Sequence, residues 1–122
     1  LDAVVENLDF IGISTYPDLF TNKTWTDSIS NTYLDSLISQ YSVPIGLSET
    51  GISSLNFNEA QRSSYVNSVF SNYDQFSFIV WGSMVDSYDS SYWASRVGLL
   101  DYQASPKADY KTWIDNVKKI KY

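Results

Sequence analysis

Three apolar runs in this 122-residue chain end in or carry side chains that could do chemistry. DFIGISTY (residues 9–16) closes on the phenol of Tyr16, VPIGLSE (43–49) closes on the carboxylate of Glu49, and FSFIVWGS (76–83) carries the indole of Trp81. There is no histidine and no cysteine. That removes Ser-His-Asp and Cys-His nucleophiles, imidazole and thiolate metal sites, and disulfides. Acid–base and nucleophilic work therefore falls to Asp, Glu, Tyr or Lys.

These side chains need elements to position them. None of the three runs alternates cleanly, so each reads as a strand covered on both faces, as in a parallel sheet. Their centres, Ile11, Ile45 and Ile79, recur every 34 positions, the mark of repeated βα units. Between them lie helical patterns. Residues 30–41 place Tyr33, Leu34, Leu37, Ile38 and Tyr41 on one stripe. Asn58, with Gln61 three positions on, forms a capping box for a helix burying Tyr65, Val66, Val69, Phe70 and Tyr73. A last helix starts at Ser105, with Pro106 in its first turn and Trp113, Ile114, Val117 and Ile120 inside. Residues 1–8 read as the tail of a preceding helix.

Three strands make a poor complete sheet, because both outer strands would be apolar edges. The expected fold is therefore α/β: a partial TIM (β/α)8 barrel of about three C-terminal βα units with parallel strands, at 9–16, 43–49 and 76–83. In such folds chemistry sits at the carboxyl ends of the strands. Tyr16, Glu49 and the stretch from Trp81 to Asp86 would then meet on one face. A phenol, a carboxylate and an indole together suit carbohydrate. Indole faces stack on the apolar faces of sugars, and carboxylates serve glycosidic cleavage as nucleophiles and proton carriers. Gly51 would let the chain turn away behind Glu49.

DFIGISTYP, PIGLSETG, FIVWGSMVDSYD and RVGLLDYQASPKADYKTW, in this order and over nearly the whole chain, resemble the C-terminal part of the retaining glycoside hydrolases of the large (β/α)8 clan. Ser-Glu-Thr-Gly and the strand-eight loop are most similar to endo-galactanase-like or endoglucanase-like members, with β-glucosidases and xylanases also in the clan. The resemblance implies that Glu49 is the nucleophile and that Tyr16 orients it. It implies that Trp81 is a sugar platform, with Asp86 and Trp93 as further substrate contacts. It implies hydrolysis of a β-linked poly- or oligosaccharide with retention, without metal or organic cofactor. The second carboxyl, the acid/base, lies upstream in the family's pattern. The one Asn-Glu pair here, Asn58-Glu59, follows Glu49 and reads as a helix cap. Without that acid/base the isolated chain is expected to be inactive, and a missing N-terminal barrel half, or self-association, is expected to cover its open strand edges.

The remaining numbers bound the alternatives. A net charge of −6, with most lysines near the C-terminus, disfavours nucleic acid and anionic membrane surfaces as partners. No apolar run is long enough to span a bilayer. The chain starts at Leu1 rather than Met, as a processed protein or a piece of a longer one would. A surface rich in Ser, Thr, Tyr and acids favours a secreted protein. Asp86, Asp89 and Asp101 could be imagined around calcium, but their spacing lacks the EF-hand pattern. Two other functions stay open: a non-catalytic carbohydrate-binding or scaffold half-barrel, and a phosphate-handling α/β enzyme using residues 50–54.

Overall fold

A computed structural model describes residues 8–19, 27–88 and 91–120, with the side chains of residues 27–32 outside the description. The expected helix tail at the N-terminus and the position of Asp89 therefore fall almost wholly outside the described residues. The elements are β1 (Ile11–Thr15), α1 (Asp27–Ser39), β2 (Ile45–Thr50), α2 (Glu59–Ser71), β3 (Phe76–Trp81) and α3 (Ala108–Val117). Short 3-10 turns cover Pro17–Leu19, Tyr73–Gln75 and Trp93–Arg96. The three strands pair in parallel in the order β1-β2-β3.

The strands are shorter than the apolar runs suggest, and each limit has a local cause. Pro44 has no N–H to give a ladder and contributes only its carbonyl, which accepts from Ile11 N at 2.9 Å. Pro17 turns the chain at the end of β1. Beyond Trp81, the Gly82 N–H still bonds Thr50 O, at 2.6 Å, but the chain then bends. The capping box of α2 forms as expected: Gln61 N donates to Asn58 Oδ1 and Asn58 N donates to Gln61 Oε1, both at 3.0 Å. The last helix starts later than expected. Leu100 bridges Pro106 in antiparallel fashion, so the chain is still extended there and Lys107 becomes the N-cap.

The core lies on one side of the sheet. Leu34 from α1, Ile45 and Leu47 from β2, and Tyr65 and Val69 from α2 form a buried cluster with Ile52, Phe57 and Phe76. Ile13, Ile79 and Trp81 pack against it, and Trp113 of α3 stacks edge-on to Trp81. All three helices thus serve the same face. The other face is open: Gly12, Ser14, Ser48 and Val80 are exposed and Phe10 is half exposed. On it, the Phe78 ring covers Gly46, where a Cβ would collide with the ring. One-sided helices on consecutive strands differ from a doubly wound sheet, where helices cover both faces.

Beneath α2, Arg62 Nε and Nη2 each donate to Asp109 Oδ1 at 3.2 Å, with Asp109 fully buried. This pair ties α2 to α3, because neither charge can be left alone in the interior. Leu47, also fully buried, gives the simplest test of the core. Leu47→Ala should lower unfolding free energy by about 2–5 kcal/mol, read by denaturant titration.

Candidate functional site

Glu49 should not be exposed in a regular strand. Ile45 and Leu47 face the helices, so strict alternation would send residue 49 into the same apolar core. The pairing register shows why it escapes. Ile13 pairs with Leu47, but Ser14 pairs with Glu49, so Ser48 is an extra residue in β2. This bulge leaves Ser48 and Glu49 both exposed, and Thr50 returns to the buried side. Bulges re-aim side chains in this way beside functional sites.

The Tyr16 hydroxyl and the turned-out carboxylate lie together against Gly82. Burial, and then the neighbouring Glu49 carboxylate, push the phenol well above its ordinary value, so it keeps its proton and faces the carboxylate as a donor. Three neighbours define the space. The Trp93 ring meets Tyr16 edge-on, with centroids 5.2 Å apart. Gly82 lies under the pair, where a Cβ would collide with the Tyr16 hydroxyl and come within 3.3 Å of Glu49 Cγ. At Gly51 a Cβ would sit 3.2 Å from both Tyr16 Cε1 and Val97 Cβ. No glycine among the described residues has positive φ. Gly51 is therefore needed for room beside Tyr16, not for the turn that the sequence suggested.

Tyr16, Glu49 and Trp93 thus come together, whereas Trp81 and Asp86 do not join them. Trp81 points to the helix side, where its ring meets Trp113 at 5.1 Å and Tyr65 at 6.3 Å. Its Nε1–H donates to Val97 O at 2.8 Å. Asp86, which the resemblance made a substrate contact, has a side chain only 1% exposed. Its carboxylate accepts from Lys107 Nζ at 2.7 Å and from Gly98 N at 2.9 Å. Lys107 Nζ also donates to Ser54 Oγ and to Arg96 O. One ammonium therefore joins the loop after β2, the loop after β3 and the entry to α3. Burial lowers the Lys107 pKa, opposed by the Asp86 charge.

A second tie, not singled out in the sequence, is Asp18. It accepts from Ser53 N at 2.9 Å and Asn56 Nδ2 at 2.7 Å, locking the loop after β2 to the turn after β1. The signal that could have found it is an acid just past a strand end, facing a Ser/Asn-rich loop. Asp18 also bears on the phosphate alternative. The Ser53 N–H that an anion would need already serves a carboxylate, and Thr50 and Ser53 are buried. The imagined calcium site is not assembled either. Asp86 is committed to Lys107, and Asp101 accepts from Gln103 N and Ser105 N of its own turn. Among the described residues no three acidic groups gather where a metal could bind.

Two measurements check this arrangement. Lys107→Met leaves the buried Asp86 carboxylate with only Arg96 Nη1, 3.7 Å away, as a nearby cation and should cost up to about 3 kcal/mol of stability. The Tyr16 and Tyr65 phenols both have pKa values raised by burial. The unfolded chain therefore releases those protons first, and their stabilisation, complete below about pH 10, falls as pH rises beyond it. Lys107, lowered in the fold, has the opposite sign, adding stability as pH approaches the ordinary lysine value of 10.5. Alkaline unfolding should be blunted in Tyr65→Phe, as seen in melting temperature against pH.

No family model matches the chain, and no curated protein matches it. Solved structures do match. A GH2 beta-galacturonidase from Eisenbergiella tayi superposes with a TM-score of 0.67 at 17% identity, over 93% of this chain and 24% of that one. A beta-D-glucuronidase from Dictyoglomus thermophilum gives 0.71 at 18% identity, over 95% and 23%. A Faecalibacterium prausnitzii beta-glucuronidase gives 0.68 at 16% identity, over 99% and 24%. The chain spans about a quarter of the length of these proteins. These neighbours are glycoside hydrolases, but they lend no support to the endo-galactanase or endoglucanase likeness in particular. At such identities the kinship is one of fold: this chain shares its α/β architecture with segments of GH2 glycuronidases.

Proposed function

We propose that these residues form the C-terminal portion of a retaining (β/α)8 glycoside hydrolase acting on a β-linked substrate, with Glu49 as nucleophile. The observation that carries this is the placement of the Glu49 carboxylate beside the Tyr16 hydroxyl at the carboxyl end of parallel strands, with the Trp93 ring against Tyr16. Likeness of fold to beta-glucuronidases and a beta-galacturonidase supports a β-glycoside substrate.

Glu49 Oε attacks the anomeric carbon as the bond to the leaving oxygen breaks, forming a glycosyl-enzyme. The leaving oxygen takes a proton from a second carboxyl ~5–5.5 Å away, which then removes a proton from the water that releases the sugar. The Tyr16 hydroxyl, set beside Glu49, fixes the rotamer of the attacking group. Trp93, rather than Trp81, is the indole placed to meet a sugar. Asp86 serves beneath the loops and not in the substrate cleft.

The second carboxyl is assigned to further βα units of a larger barrel. The surface left for them supports this. β1 and β3 each have one unpaired edge in this sheet. Along β3 an apolar groove of about 520 Å³ runs between Phe76, Phe78, Phe70, Trp113 and Val117. Open edges of that kind are covered in soluble proteins.

The test is hydrolysis of aryl β-glycosides by the complete gene product, including whatever is encoded upstream of Leu1. Glu49→Gln should fall to background turnover with an unchanged melting curve. A fully active Glu49→Gln enzyme would sink the proposal. Saturable oligosaccharide binding without turnover in the parent would instead favour the carbohydrate-binding scaffold.

A further inference from the structure

The hydroxyl groups buried behind the strand ends sit at the point where β2 changes register. Thr50, the residue after Glu49, is fully buried on the helix side. Its Oγ1 donates to the backbone carbonyl of Thr15 at 3.0 Å, across the sheet. Because that bond uses its only proton, the Tyr65 hydroxyl, 2.5 Å away, is the donor to Thr50 Oγ1. Thr15 in turn shares a 2.7 Å hydrogen bond with the Tyr33 hydroxyl. Tyr65 is fully buried and is anchored by α2, so the chain of bonds runs from a helix, through Thr50, to the main chain immediately before Tyr16.

We propose that Thr50 and Tyr65 are positioning residues: the Tyr65–Thr50–Thr15 hydrogen bonds lock the Ser48 bulge in the register that turns Glu49 out of the core and onto Tyr16. The alternative register is readily pictured. A slip that removed the bulge would put Glu49 on the helix side among Leu47, Tyr65 and Trp81, and Thr50 on the open face. An unpaired carboxylate there would be costly. The hydroxyls add a second, specific penalty, since in the slipped register Tyr65 and the Thr15 carbonyl both lose their hydrogen bond to Thr50 Oγ1. Thr50 is suited to this because its methyl packs in the core while its hydroxyl bridges two elements. The polar chain stops at the back of the sheet and does not touch the space in front of Glu49.

The inference deepens the role proposed for Glu49, but its test reads position without using activity. Tyrosine ring carbons are labelled in the complete polypeptide, the Tyr16 signal is assigned with Tyr16→Phe, and the pH is raised while the far-ultraviolet spectrum stays native. In the parent, Tyr16 keeps its proton through the range where an ordinary phenol ionises, about pH 10. In Thr50→Val and in Tyr65→Phe its midpoint should fall toward that ordinary range as the Glu49 carboxylate moves away from it. Thr50→Ser, which keeps the hydroxyl, should restore the parent behaviour. If Thr50→Val does not fold, Tyr65→Phe and Thr50→Ser carry the comparison. An unmoved Tyr16 titration in the folded variants, with only a lower melting temperature, overturns the inference and leaves the network a purely structural one. A fully active Glu49→Gln would overturn the glycosidase proposal while leaving this result standing.

Discussion

Everything at the candidate site depends on one extra residue in β2. With Ser48 inserted between the pairs Ile13–Leu47 and Ser14–Glu49, the strand keeps Leu47 in the core and still presents Glu49 to solvent. Without it, either the leucine or the glutamate would face the wrong medium. Burial of a leucine is worth about 2 kcal/mol, and burial of an unpaired carboxylate costs considerably more. The bulge satisfies both, and the same irregularity sets the approach of Glu49 to Tyr16.

The loops in front of the sheet are held by charges wholly or partly turned away from water. Lys107 and Asp86 form a largely buried pair, and the ammonium spreads its remaining hydrogen bonds over Ser54 and the Arg96 carbonyl. Asp18 does the same with backbone and amide donors from residues 53–56. Such groups add little net stability over an apolar packing of the same shape, but they are directional. That property suits a loop that must place Trp93 against Tyr16. The Arg62–Asp109 pair plays the corresponding part at the back, fixing α3 to α2.

The two faces of the sheet follow different rules. The helix side is filled by buried Leu34, Tyr65 and Val69, with the partly buried Trp81 and Trp113 packed beside them. The other side carries glycine and serine at residues 12, 14, 46 and 48, with larger side chains from Phe10, Phe78 and Val80 among the described residues. Small residues facing large ones on neighbouring strands are what a closed, layered interior requires. Val80 and Phe10 stay exposed on that face, and the outer strands each keep one unpaired edge in this sheet.

Much of this was legible in the chain itself. The 34-residue recurrence of Ile11, Ile45 and Ile79 marks three βα units, because hydrophobic burial writes its period directly into the sequence. The Asn58–Gln61 cap is equally local. Glu49 and Tyr16 stand out as polar groups closing apolar runs. What the tertiary structure decided depends on register and direction, which composition does not encode. Period-2 alternation cannot show that Ser48 is an extra residue, since a bulge leaves no trace until a partner strand is paired. For the same reason the sequence could not tell that Trp81 faces the helices while Trp93, distant in sequence, meets Tyr16. Nor could it show that Asp86 is buried on Lys107, because a carboxylate in a loop is ordinarily solvated and becomes structural only when a cation from another element reaches it.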